Sequence, residues 1–271
     1  MRISVASALV VTALLAACGG APSPEHAMQV TLPTPAEQQR VADLRIVFAH
    51  QSVGNNILDG VRTIAGRDKV PLRIEQARSD ASTAPGIVHF MVGRNGEPES
   101  KIEDFRNTLG AKPFGQVDVA LMKFCFVDFD ADTDPKKLAA DYENAIDTLQ
   151  REQPATRFVA VTVPLETLQT GVRAWLKRAL GREPGGYASN ARRYAFNEEI
   201  RRHYAPAQLF DLARAESSAG GTTHTYAIDG VNAEALDPAF SADGAHLNED
   251  GEVAVAGALI RALASDASGT H

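Results

Sequence analysis

The run His50-Gln51-Ser52-Val53-Gly54 joins an apolar stretch, residues 44–49, to a segment that carries Val53, Ile57, Val61 and Ile64 at helical spacing. A serine at such a strand-to-helix junction can act as a nucleophile. The sharp turn exposes its hydroxyl, the helix N-terminus favours developing negative charge, and its own N–H faces the same space. It can equally be a plain helix cap, a common place for serine. The second group is Asp243-Gly244-Ala245-His246, just ahead of the apolar helical pattern of residues 252–263. Three residues apart in a turn, the carboxylate can orient the imidazole and fix its tautomer, which leaves the other ring nitrogen for a serine. With 18 Asp and 7 His in 271 residues, chance supplies about 0.5 such pairs. The pair is therefore informative through its position. It precedes the terminal helix and can fold back onto the sheet edge that holds Ser52.

Those positions need a scaffold. Residues 44–49, 72–74, 117–127, 157–163 and 208–212 read as strands. Between them, Pro98 opens a helix with Ile102, Phe105 and Leu109 on one face, and Asp134-Pro135 caps one with Leu138, Tyr142, Ile146 and Leu149. Residues 189–204 add a further helix. The alternation predicts a parallel sheet covered on both faces, a three-layer α/β/α sandwich in one domain of residues 43–264. In such sheets the functional loops gather at the carboxyl ends of the strands.

Ser52 directly after the first strand, and Asp243 and His246 before the last helix with Asn248 and Gly251 behind them, together resemble the SGNH hydrolases, also called GDSL-like esterases. The resemblance covers about residues 44–264. It implies a flavodoxin-like fold and a serine esterase in which Ser52 attacks an acyl ester, His246 is the base and Asp243 orients it. It implies no metal or organic cofactor. Substrates in that family include lipid esters, thioesters and O-acetylated sugars, so a small acyl ester or an acylated glycan is the expected partner. The oxyanion donors would be the N–H groups of Ser52 and Gly96, with Gly93 as the alternative glycine. Two departures stand out. The usual G-D-S is His50-Gln51-Ser52 here, and G-x-N-D is replaced by Cys125-Phe126-Val127-Asp128. Val127 has no donor, and a charged Asp128 would repel an oxyanion. Asn95 is the nearest substitute by context. Acyl transfer to a sugar hydroxyl, and non-catalytic carbohydrate binding, are the alternatives these residues leave open.

Composition limits the remaining classes. Hydrophobic residues make up 44% and charged residues 23%, which excludes disorder throughout. The chain has 27 basic against 34 acidic residues and no basic run, which excludes an electrostatic nucleic-acid binder. After Arg2, residues 3–17 are uncharged but short of the ~20 residues of a membrane span, as in a secretory signal. Leu15-Ala16-Ala17-Cys18 resembles the lipobox of bacterial lipoproteins. That implies removal of residues 1–17, lipidation of Cys18 and, with Gly19-Gly20 following, an outer-membrane anchor facing the periplasm. Residues 18–42 read as a flexible tether and 265–271 as a disordered tail. Cys125 reads as a buried thiol and His89, in an apolar run, as structural. Asp128, Asp130, Asp132 and Asp134 lack the Gly and Glu of a calcium loop. Residues 166–186, which contain Trp175, read either as a lid or as a helix packed on the core.

Overall fold

Runs that are apolar on both faces become the strands of a parallel sheet. The computed structural model describes residues 32–79, 84–130, 132–228 and 230–265; Cys18 and the signal segment lie outside them. The first half of the chain forms α1 (Pro35–Ala42), β1 (Arg45–His50), α2 (Val53–Asp68), β2 (Ile74–Gln76), β3 (Gly86–Met91), α3 (Pro98–Gly110), β4 (Val119–Met122) and α4 (Pro135–Glu152). The second half forms β5 (Arg157–Val161), α5 (Gly171–Ala179), α6 (Tyr187–His203), β6 (Leu209–Phe210), α7 (Leu212–Glu216), β7 (Thr225–Ile228), β8 (Val231–Glu234) and α8 (Glu249–Ala264).

Strands β1–β6 run parallel in the order β2-β3-β1-β4-β5-β6. With the short edge strand β2 set aside, this is the order of flavodoxin-like sheets. β1 is central, and Phe48 lies between His89 of β3 and Leu121 of β4. All of β4 and all but the first residue of β1 are buried, because helices cover both faces. Ile46, Phe48 and Leu121 pack into one layer with residues of α1, α2, α7 and α8. Val47, Ala49 and Ala120 pack into the other, with Phe105, Tyr142 and Phe196 from α3, α4 and α6. The three-layer α/β/α sandwich with a parallel central sheet is therefore the fold.

Two helices matter most for the site, and they cross with their backbones nearly touching. A Cβ on Gly60 of α2 would lie 2.1 Å from the Glu252 carbonyl oxygen of α8. Only glycine fits there. The crossing ties the helix that follows Ser52 to the helix that follows His246.

Several sequence expectations change. Residues 35–42 were expected within a flexible tether and form α1 instead. Thr34 and Glu37 build a capping box, Pro35 opens the helix, and Val41 joins the core. The folded unit thus begins ahead of residue 43. β3 was not among the expected strands; the apolar run around His89 forms it, with His89 packed beside His50. The strand expected over 117–127 ends at Met122; of its remaining apolar residues Phe124, Cys125 and Phe126 fill the core from the following loop, and Val127 is exposed. The β7–β8 hairpin was also not expected; it stands apart from the sheet, with Tyr226 and Ala233 packed near Leu168, Tyr187 and Tyr194. Among the described residues no helix is long and apolar enough to cross a membrane.

Candidate active site

Ser52 is the second of the two residues between β1 and α2, with φ 41° and ψ −103°. A side-chain-bearing residue rarely adopts that backbone, and such outliers cluster at functional sites. The neighbours enforce it. Gln51 Nε2 donates to the carbonyls of Val92 (3.0 Å) and Gly93 (3.3 Å), and Val53 is fully buried as the first helical residue. Ser52 makes no side-chain cap to its helix. Its hydroxyl points instead at His246 Nε2, 2.6 Å away. The Ser52 N–H has no acceptor among the described residues.

His246 lies on the turn before α8. Its Nδ1 is 2.8 Å from Asp243 Oδ2. Asp243 Oδ1 accepts from the backbone N–H groups of Ala245 and His246, each at 2.8 Å. The His246 backbone N–H first, then that of Ala245, then the His246 ring hold the Asp243 carboxyl far below the usual carboxylate range. Asp243 is therefore a fixed anion, with His246 Nδ1–H as its donor and Nε2 facing the serine. Gly244 lets the turn close, since its φ of 91° suits glycine and its carbonyl accepts from Thr167 N–H at 2.8 Å. The Phe126 ring meets the imidazole edge-to-face, with centroids 5.5 Å apart. Phe126 is held in turn by Arg193, whose Nε and Nη2 donate to its carbonyl at 3.1 and 2.7 Å.

The loops after β3 and β4 meet over a buried ion pair that was not among the sequence expectations. Lys101 Nζ is fully buried and donates to Asp128 Oδ2 (2.5 Å) and Asn95 Oδ1 (2.9 Å). Asp128 also accepts from the N–H groups of Gly96 (2.8 Å) and Cys125 (2.7 Å). This corrects the expectation for Gly96, whose N–H serves Asp128 instead of facing a substrate oxygen. Gly93 N–H is likewise engaged, by Asp104 Oδ2 at 2.7 Å. Asp128 itself points inward with its charge paired, so the repulsion expected from it does not arise. Asn95 is different: its carbonyl oxygen is clamped by Lys101, which leaves its amide N–H groups free on an exposed loop. Val127 is exposed beside Phe126.

His50 lies beneath the site. Its Nε2 is 3.0 Å from His89 Nδ1, and its ring occupies the space that a Cβ on Gly54 would fill. Burial, helped by the nearby Lys123 charge, pushes His50 down to about 3. It stays neutral and structural, as does His89. A cavity of about 290 Å³ opens beside Asp243 and Gly244 and is bounded across by Gln169, Lys177 and Gly185. The segment read as a lid or a packed helix forms α5 there. Ala174 of α5 is buried and Trp175 is exposed.

No protein-family model matches the chain, and no curated protein matches it. Solved structures similar to it include one named "a putative platelet activating factor" from Streptococcus pneumonia, at 16% identity over 84% of this chain and 90% of that one, TM-score 0.49. Another is named "a putative lipolytic protein of G-D-S-L family", from Desulfitobacterium hafniense, at 9% identity over 80% and 98%, TM-score 0.41. A third is the periplasmic domain of a lipopolysaccharide acetyltransferase from Salmonella ser. Paratyphi A, at 13% over 79% and 81%, TM-score 0.43. These likenesses are distant, and what the site can do is argued from its own geometry.

Proposed function

We propose that the protein is a serine esterase. The observation that carries the reading is the unbroken line from Ser52 Oγ to His246 Nε2 at 2.6 Å and from His246 Nδ1 to Asp243 Oδ2 at 2.8 Å. Ser52 Oγ attacks the ester carbonyl and its proton passes to His246 Nε2. The carbonyl oxygen becomes an oxyanion, which the Ser52 N–H and the Asn95 side-chain amide stabilise. As the intermediate collapses, His246 returns the proton to the departing alcohol and leaves an acyl-Ser52. Water, deprotonated by His246, then releases the acid.

The openness of the site supports a small acyl group on a larger alcohol. The His246 and Asp243 side chains are 46% and 58% exposed, so the ester need not enter a deep tunnel. An O-acetyl group on an envelope glycan fits that description. The same openness gives water ready access to the acyl-enzyme, which favours hydrolysis over transfer to a sugar hydroxyl. The lipobox-like Leu15–Cys18 run supports a lipid anchor at Cys18 and a place at the bacterial outer membrane.

A fluorophosphonate probe tests the chemistry. It should label the protein once, with mass spectrometry placing the adduct on Ser52. Ser52→Ala should lose the label and cut turnover of a short-chain acyl ester by on the order of 10³-fold or more, with the fold intact. An adduct elsewhere, or an active Ser52→Ala enzyme, refutes the reading.

A further inference from the structure

Helix α5 shows an apolar face that nothing in the fold covers. At about 100° per residue, Trp175, Ala179, Val172, Leu176 and Leu180 fall on one arc of roughly 140°, and Ala174 falls opposite. Val172 is 80% exposed, Trp175 67%, Leu176 52% and Leu180 65%, whereas Ala174 is buried. The helix thus rests on the protein through its small side and presents its large apolar side chains to solvent.

The charges follow the same plan. Residues 171–182 hold Arg173, Lys177, Arg178 and Arg182 and no acidic residue, within a chain of net charge −7. Arg173 and Lys177 border one edge of the apolar arc and Arg178 the other. Among the described residues no carboxylate pairs with Arg173, Lys177 or Arg182. Arg178 stacks over the Tyr187 ring, 5.1 Å from its centroid.

An apolar arc with a tryptophan in it, cations on both borders and too few residues to span is the chemistry of a helix lying in a membrane interface. Its charge complements anionic headgroups. A second copy of the chain is a poorer occupant. A stable dimer buries about 800 Å² and some 20–30 residues on each side, and four large apolar side chains fall well short of that. We propose that α5 is an interfacial anchor that seats the protein on an anionic phospholipid surface. Lys177 borders the same cavity as Asp243 and Gly244, so a docked α5 places that cavity next to the headgroup layer. The surface stands whether or not Ser52 is a nucleophile.

Trp175 is the chain's single tryptophan, so its emission reads α5 alone. The full-length protein is titrated with vesicles of phosphatidylglycerol and phosphatidylcholine, with and without bromine on the acyl chains, and with phosphatidylcholine alone. On the anionic vesicles the emission should shift to the blue and be quenched by the brominated lipid, and high salt should weaken both effects. Neutral vesicles should change little. Arg173→Gln and Lys177→Gln should each lower partition about fivefold. Leu176→Ser with Leu180→Ser should abolish quenching while circular dichroism stays the same. Unshifted, unquenched Trp175 on protein that sediments with the vesicles overturns the proposal, since attachment then runs through another part of the chain. A blue shift that needs no lipid and grows with protein concentration overturns it in favour of a second copy. Equal quenching on neutral and anionic vesicles overturns the assignment to anionic lipid.

Discussion

At Ser52 the backbone is held where a side chain costs about 1–3 kcal/mol, and the geometry it achieves is the aim of Oγ at His246. The cost should be measurable. Ser52→Gly removes the Cβ that makes φ 41° unfavourable, whereas Ser52→Ala keeps it. In urea denaturation the glycine variant should be more stable than the alanine variant by about 1 kcal/mol, and neither should turn over ester. Equal stabilities would mean the backbone relaxes at no cost, which would remove strain from the account. Ser52, Asp243 and His246 were legible in the sequence because each is placed by its own few neighbours: a strand end with a helix start, and a four-residue turn. Gly96 was misread because its amide answers to Asp128, 32 residues away. No local pattern contains that partner.

At the scale of elements, Lys101 and Asp128 lock the loop after β3 to the loop after β4. Removing one partner leaves a buried charge alone, which costs about 3–5 kcal/mol. Lys101→Met should show a loss of that size in urea denaturation. Lys101→Met with Asp128→Asn should recover part of it, because neither charge is then stranded. A loss under 1 kcal/mol for the single variant would mean Asp128 finds another partner. The sequence held one sign of this brace. Lys101 lies in the stripe Pro98, Ile102, Phe105 and Leu109 that α3 buries, and a cation there needs an anion. The helices α2, α3, α4 and α8 were legible from such stripes and from Asp134 and Pro98 at their starts. β3 was not, since His89 is compatible with its strand only beside His50, 39 residues earlier. α1 was lost in a polar, proline-bearing stretch. Its anchors are non-local: Val41 sits in the core, and Gln38 Nε2 donates to Asp68 Oδ2 at 2.5 Å.

For the whole molecule, stability should fall in acid through the buried histidines. Burial first, then the Lys123 charge, takes His50 from the ordinary 6.5 to about 3, and burial also lowers His89. The unfolded chain accepts these protons at ordinary values while the folded chain refuses them. The His50 contribution is therefore complete above about 6.5 and is lost as pH falls toward about 3, by up to about 1.4 kcal/mol per pH unit, and His89 adds in the same direction. Thermal midpoints between pH 7 and pH 4.5 measure the slope, and His50→Gln should flatten it. An unchanged slope in that variant would remove His50 from the explanation. The layered fold was legible because strand and helix patterns alternate, but strand order was not, since pairing depends on crossovers no periodicity records. That topology also has a temporal side. Ser52 and His246 are 194 residues apart, which at about 5–20 residues per second is about 10–40 s of ribosomal synthesis. Until then the nascent chain carries Ser52 without the imidazole that faces it. The two meet where α8 lies across Gly60 on α2, so the last helix completes the surroundings of the first strand's end. A chain cut short before Asp243 would carry every strand of the six-stranded sheet but leave Ser52 without the imidazole it faces.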